Sequence, residues 1–324
     1  MLNVSLLTGL IVDAVPGKGE DAVCSLLGER TALIACMDGC GGSGAQRYEF
    51  AGESCKGARI ASHEVAEALK TFFDQSGIAQ DGVASIGDDE AASCLKACID
   101  ARLADVCAAL GDQRSRIKSK LSAVLPTTLA LLLAEPVAQP DRVSALAMWA
   151  GDSRVYAFLP EGLRQLSADD VTGGADAEDN LTDDGIMSNA VSASGMYHIN
   201  TKRVELRGSC MLLTATDGCF AYFPSPILFE GALLETLEAA NTPAEWMDSL
   251  SERLGQIASD DYSLQLAAFT QEGETFFDLK RRYARRMERY RRDYGEPMRR
   301  LIADGDREGM RALWKNYREQ YYAK

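Results

Sequence analysis

Residues 36–42 read CMDGCGG and follow directly on the apolar run TALIA at 31–35. An apolar strand that ends in an acid and then in three glycines within four positions presents Asp38 and the Gly39 carbonyl at a strand end, with little side-chain bulk around them. Glycine lets backbone approach a ligand closely, so the stretch is suited to an oxygen-liganded cation. Asp-Gly is also among the commonest turn dipeptides, and for the stretch taken alone a plain turn is the commoner explanation. The rest of the chain has to decide.

The chain has 324 residues, 46% hydrophobic and 25% charged. That length exceeds the usual size of one domain, so one large domain or a domain with an appendage is expected, with ample material for a core. The longest apolar stretches, such as LALLLA at 129–134, are too short to span a bilayer, and MLNVSLLTGLIVDAVPG has no basic residue before its apolar part. A soluble, non-secreted protein without a membrane partner is expected. Nine cysteines without a paired framework fit free thiols in a reducing compartment, so the cytoplasm is the expected location.

The net charge of −14 is unevenly spread: residues 280–324 hold 15 Lys and Arg against 7 Asp and Glu, a net of +8, which leaves −22 for residues 1–279. An acidic body of this kind repels phosphate backbones, which argues against nucleic acid, while carboxylates gathered in one cleft attract divalent cations.

Periodicity predicts strands at 3–12, 31–37, 127–134, 144–150, 153–159, 163–166, 210–216 and 263–269. Helices are predicted at 58–73, 90–110 and 242–258, the last opening with Thr242 as N-cap and Pro243 at the first helical position. Paired helices and meandering strands predict an α+β protein in which helical layers flank antiparallel sheets. Residues 171–200 lack periodicity and predict a long functional loop or flap.

Acids recur at the strand ends. Glu20 and Asp21 head a short strand, Asp152 sits in a tight turn between two strands, Asp217-Gly218 follows another, and Asp260-Asp261 precedes the last. Side by side in sheets, such acids converge, and the cluster repels itself unless cations neutralise it. Hard oxygen ligands favour Mg²⁺ or Mn²⁺, and with only two histidines in the chain zinc catalysis is not expected.

The ordered set Glu20-Asp21, Asp38-Gly39-Cys40-Gly41-Gly42, Thr127-Thr128, Gly151-Asp152-Ser153-Arg154, Asp217-Gly218 and Asp260-Asp261-Tyr262-Ser263 resembles the metal-dependent Ser/Thr protein phosphatases of the type 2C family over roughly residues 3–270. The resemblance implies a four-layer α-β-β-α sandwich of two antiparallel sheets. It implies that Asp38 bridges two metals, that the Gly39 carbonyl binds one, that Asp217 and Asp260 bind the other, and that Glu20 and Asp21 contact the metals directly or through water. Asp152, with Asp217, matches a third, weaker metal position. The implied activity is hydrolysis of phosphoserine and phosphothreonine on proteins, a Ser/Thr kinase or its targets among them, by water activated between two Mn²⁺ or Mg²⁺ ions.

Three departures stand out. Pro16 occupies the position of the family's phosphate-gripping arginine, and Lys18 is the nearest substitute, a point charge without a bidentate fork. Cys40 stands where some members have a histidine, and Asp261 stands where an asparagine is usual. They leave a catalytically weak binding scaffold as the alternative function.

The other reactive residue types have ordinary explanations. Cys94 and Cys98 share a helix face as packing residues, His63 and His198 are expected to be ordinary histidines, and Ser153 and Ser263 have no nearby base. The organisation expected is a catalytic domain at 1–272 and a basic helical extension at 273–324, broken near Gly295-Glu296-Pro297 and near Asp304-Gly305. Its aromatic stripe, including Tyr283, Met287, Tyr290, Trp314 and Tyr317, suits docking as a structural cap or contact with a partner. An arginine from 281–292 folding back into the acidic cleft is the rival account of its charge.

Overall fold

The structure is a computed structural model that describes residues 2–111, 124–137, 141–173, 176–182 and 185–323. One sheet holds β1 (Leu2–Val12), β8 (Arg154–Leu159), β9 (Gly162–Gln165), β11 (Cys210–Ala215) and β12 (Tyr262–Gln271) in the order β1-β12-β11-β8-β9. The other holds β2 (Ala22–Leu27), β3 (Ala32–Met37), β6 (Leu129–Pro136), β7 (Arg142–Ala150) and β10 (Asn200–Arg207) in the order β10-β7-β6-β3-β2. All neighbours run antiparallel. A separate hairpin joins β4 (Arg47–Phe50) to β5 (Glu53–Lys56).

Alternation along each strand sets the layers. On β3, Ala32 and Ile34 join Leu132, Ala145, Leu212 and Phe269 in the core between the sheets. Leu33, Ala35 and Met37 point the other way, against α1 (Gly57–Gln75) and α3 (Asp88–Leu110). Short α2 (Ile78–Asp81) links those two helices. Outside the other sheet lie α5 (Pro226–Ala239) and α6 (Pro243–Gly255). With helices on both outer faces no central strand has a wet side, which is why LALLLAEP is buried at every position instead of alternating. The expected four-layer sandwich is therefore the observed one, and Thr242 caps α6 by accepting from the Glu245 amide.

Three features were not expected. β10, NTKRVELR, is an edge strand whose charged residues hide its period, α5 is buried on nearly all sides and so has no polar face, and the β4–β5 hairpin is short. The 171–200 segment is largely irregular, with the short helix α4 (Asp179–Thr182), and it ends where β10 begins. Among the described residues no helix is long and apolar enough to cross a membrane.

The C-terminal segment forms α7 (Phe276–Tyr290), α8 (Glu296–Asp304) and α9 (Arg307–Tyr321). The break expected at 295–297 is absent: a π-helical turn, Arg291–Gly295, carries α7 into α8. Pro297 has no amide hydrogen to continue the ladder, and Gly295 lies so close to the Tyr290 ring that a Cβ there would be 2.7 Å from it, so the helix widens and does not stop. The second break is real, with Gly305 in the left-handed region at φ 67°. Tyr283, Met287, Tyr290, Trp314, Tyr317 and Tyr321 enter the same core cluster as α5 and α6, as the stripe predicted for a structural cap. At the end of α9, Trp314 Nε1 and Arg318 Nη1 donate to Asp176 at 2.7 and 2.9 Å, and the Ala177 amide donates to the Tyr322 hydroxyl at 2.6 Å, so the last helix fastens the start of the 171–200 loop.

The arginines of 281–292 do not enter the acidic cleft. Arg281 pairs with Asp278, Arg282 with Glu274, Arg286 with Glu230 and Arg291 with Glu238. Three arginines of the segment, Arg286, Arg291 and Arg299, pair with Glu230, Glu238 and Glu235 of α5, and others pair within the segment itself, so its charge is met in part by the acidic body.

Candidate metal centre

Asp38 directly follows β3, one strand in from the edge of its sheet, with its backbone fixed by Thr127 and Thr128. Its amide donates to Thr128 Oγ1 at 2.9 Å, while the Thr128 amide and the Thr127 hydroxyl donate to its carbonyl at 2.7 and 2.8 Å. Thr128 Oγ1 is in turn 2.6 Å from Ser153 Oγ, the residue after Asp152. The Thr-Thr pair thus aims Asp38 and ties it to the Asp152 turn.

The glycines after Asp38 make room for close approach. A Cβ on Gly39 would lie 2.7 Å from the Ala58 carbonyl and 2.8 Å from the Glu20 carbonyl, and one on Gly41 would lie 2.6 Å from Glu20 Oε2. Side chains there would push α1 and the Glu20 strand away from the acids.

Asp21 is buried and accepts from Thr216 Oγ1 at 2.9 Å and Ser263 Oγ at 2.6 Å, both on one oxygen. Burial still pushes its carboxyl up to about 7, with Asp261 and Asp217 adding repulsion. Asp152 is likewise pushed to about 7 by burial and then by Asp217 and Asp169. Burial drives Asp38 well above the usual carboxylate range, reinforced by the charges of Asp217, Asp21, Asp152 and Asp260. Asp217 is raised by burial and by Asp260. Asp21, Asp38, Asp152, Asp217 and Asp260 therefore face a common space, as expected from their strand ends. Glu20 adjoins them through Gly41, Asp260 stands exposed at the edge, and Lys18 lines the same cleft as Glu20 and Asp260, of about 360 Å³. A second cleft of about 280 Å³ opens beside Asp152 and Asp217.

The donor set fits a hard divalent cation. Glu20 Oε2, Asp21 Oδ1 and Asp152 Oδ1 are buried oxygens without a hydrogen-bond partner. Such atoms are costly unless a cation takes them. Lys56 pairs with the other oxygen of Glu20, and Arg154, near Asp152, is fully buried in a pair with Asp169, 2.6 Å away. Among the described residues no three His, Cys, Asp or Glu side chains already close into a compact ligand set.

Cys40 is no substitute acid: burial and the Asp38 charge push its thiol well up, and its sulfur contacts Met187 at 4.0 Å. Asp261 accepts from the amides of Ala14 and Glu20 at 2.7 and 2.6 Å and anchors the loop that carries Lys18, while its charge still bears on Asp21. His63 and His198 are exposed, and Cys94 and Cys98 are free, partly buried thiols at the edge of the α1–α3 core. Sequence reasoning missed Thr216 and the Asp170 carboxylate, which accepts from Gly151, Asn189 and Asn200 and organises the flap.

The raised carboxyls set a pH dependence for metal-free protein. An unfolded Asp ionises near 3.8, so the stabilisation from neutral Asp21 and Asp152 is complete below that value and is lost as pH rises through about 7. The melting temperature without metal is expected to fall by about 5 °C or more between about pH 5 and pH 8, with Mn²⁺ reversing the loss at the higher pH. Thermal melts over that range check this, and a flat profile would contradict the burial of these acids.

The family profile described as Protein phosphatase 2C matches residues 18–269. No curated protein matches the chain. Among solved structures, serine/threonine phosphatase Stp1 from Staphylococcus aureus superposes with a TM-score of 0.57 at 17% identity, covering 83% of this chain and 97% of that one. The serine/threonine phosphatase PstP/Ppp of Mycobacterium tuberculosis gives 0.53 at 18% identity, covering 84% and 99%. The catalytic domain of PstP in complex with 2 manganese ions gives 0.52 at 17%, covering 84% and 100%. Because its profile spans most of the sandwich and every strand-end acid in the ordered set, the chain belongs to the protein phosphatase 2C family and is a protein-serine/threonine phosphatase.

Proposed function

We propose that the chain hydrolyses phosphoserine and phosphothreonine on cytoplasmic protein substrates with two Mn²⁺ or Mg²⁺ ions, residues 1–272 being the catalytic unit and 273–324 its extension. The observation that carries this is the convergence of Asp21, Asp38, Asp152 and Asp217, buried together and raised by one another, with carboxylate oxygens left unpartnered. The complex of PstP with 2 manganese ions supports the choice of ion. The reading as a catalytically weak scaffold has no comparable support.

Asp38, Asp21, the Gly39 carbonyl, Asp217 and Asp260 would hold the ions, Glu20 would contact them directly or through water, and Asp152 would serve a third. When bound, such ions supply hydroxide near neutral pH and neutralise phosphoryl oxygens. The protein's part is orientation. Thr127 and Thr128 fix Asp38, Thr216 and Ser263 fix Asp21, and the Asp261 carboxylate holds the 14–20 loop so that Lys18 reaches the cleft as a phosphate contact.

Hydrolysis of an aryl phosphate and a phosphopeptide is expected to require added Mn²⁺ or Mg²⁺ and to stop in chelator. Undiminished turnover in chelator would overturn the reading.

A further inference from the structure

The 14–20 loop, the β4–β5 hairpin and the start of α1 line the cleft beside Glu20 and Asp260, with Glu53 and Asp261 on its wall, and each of the three supplies cations to it. Lys18, Arg47 and Arg59 line it, together with Lys56, whose ammonium is paired with Glu20. Elsewhere this acidic chain matches arginine to carboxylate repeatedly, as at Arg102, Arg154, Arg203 and Arg286. Lys18, Arg47 and Arg59 have no carboxylate within ion-pair distance among the described residues. Unmatched cations gathered in one cleft of a protein with net charge −14 point to an anion brought from outside.

Arg59 is the best placed of them. It is in the first turn of α1, next to Ala58, whose carbonyl abuts Gly39 at the wall of the acid cluster. One guanidinium nitrogen, Nη1, donates to the Gly19 carbonyl, one residue from Glu20. That bond ties the side chain to the 14–20 loop and leaves Nε and Nη2 without a protein partner among the described residues. A planar fork held this way binds two oxygens of one phosphoryl group, which Lys18 as a flexible point charge does not. Arg47, by contrast, is turned back onto its own hairpin, with Nε 3.4 Å from Ser54 Oγ.

We propose that Arg59, assisted by Lys18, is the phosphate grip of this enzyme, holding the phosphoryl group of a phosphomonoester substrate in the absence of an arginine at position 16. The assignment rests on the phosphatase reading above for its substrate and stands on the cleft itself for the anion site.

The test uses the full chain with Mg²⁺, measuring steady-state hydrolysis of a phosphothreonine peptide and calorimetric binding of inorganic phosphate. Arg59→Ala and Arg59→Gln are both expected to raise the KM and the Kd for phosphate about tenfold or more, with kcat changed less. Arg59→Lys should fall between them and the parent, and Lys18→Ala should give a smaller rise. The lysine variant separates grip from scaffolding, because its ammonium, one bond short of Nη1, can still donate toward the Gly19 carbonyl without offering a planar fork. If Arg59→Lys matches the parent, Arg59 only braces the loop and the proposal is overturned, as it is if Arg59→Ala and Arg59→Gln keep parental KM and Kd. Should the alanine variant fail to fold, the glutamine and lysine variants decide. Metal-dependent turnover with Arg59-independent phosphate binding would sink the grip and leave the phosphatase reading standing. Arg59-dependent phosphate binding without turnover in the parent would do the reverse.

Discussion

Asp38→Asn is expected to lower metal-supported turnover of a phosphopeptide by about 10²-fold or more at saturating Mn²⁺, with the fold intact. Both halves of that expectation come from how Asp38 is held. Its backbone bonds run to Thr127 and Thr128 and do not involve the carboxylate, so an asparagine keeps them. The carboxylate itself feels the charges of Asp217, Asp21, Asp152 and Asp260, and in the proposed role its charge would be central to cation binding. Removing it also relieves repulsion, and the metal-free variant should melt no lower than the parent. Steady-state kinetics beside thermal melts check both points. Near-parental rates would reduce Asp38 to a turn residue.

What the sequence discloses about this site follows from the physics of each position. Asp38, Asp152, Asp217 and Asp260 were legible because acids next to glycine or in tight turns at the ends of apolar strands interrupt a strong pattern. The hydroxyls that hold Asp21 were not legible in that role. Thr216 and Ser263 sit in or beside runs rich in β-branched and small residues, where a hydroxyl bonded to Asp21 looks the same as one bonded to its own backbone. Arg59 was hidden for another reason: in the pattern of α1 it is one more polar position, and only the fold brings it against Gly19, forty positions away in the chain. α5 was missed because a helix covered on all sides has no amphipathic period to detect. The C-terminal stripe was legible because one face stays wet, yet its partner charges on α5 could not be read without that helix.

Arg286→Ala should be the most destabilising single change in the C-terminal helices, lowering stability by about 3–5 kcal/mol and the melting temperature by about 10 °C. Arg286 and Glu230 are both fully buried. Glu230 accepts from Arg286 Nε at 2.7 Å and Nη2 at 2.6 Å, from the Tyr317 hydroxyl at 2.5 Å and from the Leu163 amide at 3.2 Å. Removing the guanidinium leaves a carboxylate in the core between α5, α7 and α9 with no opposing charge. Arg286→Met combined with Glu230→Leu removes both charges and should recover most of the loss, because the penalty comes from the orphaned ion more than from the missing attraction. Denaturant titrations of the single and double variants measure this. A double variant as unstable as Arg286→Ala would mean that the hydrogen bonds, not the charge balance, set the stability there.

The attachment of Asp176 and Ala177 to the end of α9 makes distance along the chain a poor guide to mechanical distance. Trp314 and Arg318 hold a residue 138 and 142 positions earlier, and Tyr322 one 145 positions earlier. Beyond that point the same loop brings Leu181 and Gly185 to the cleft beside Asp152 and Asp217. Chain ends normally fray at little expense, because little rests on them. The packing of α9 and the rim of the cleft beside Asp152 and Asp217 thus share one set of bonds, so loosening Asp176 or Trp314 is expected to loosen both.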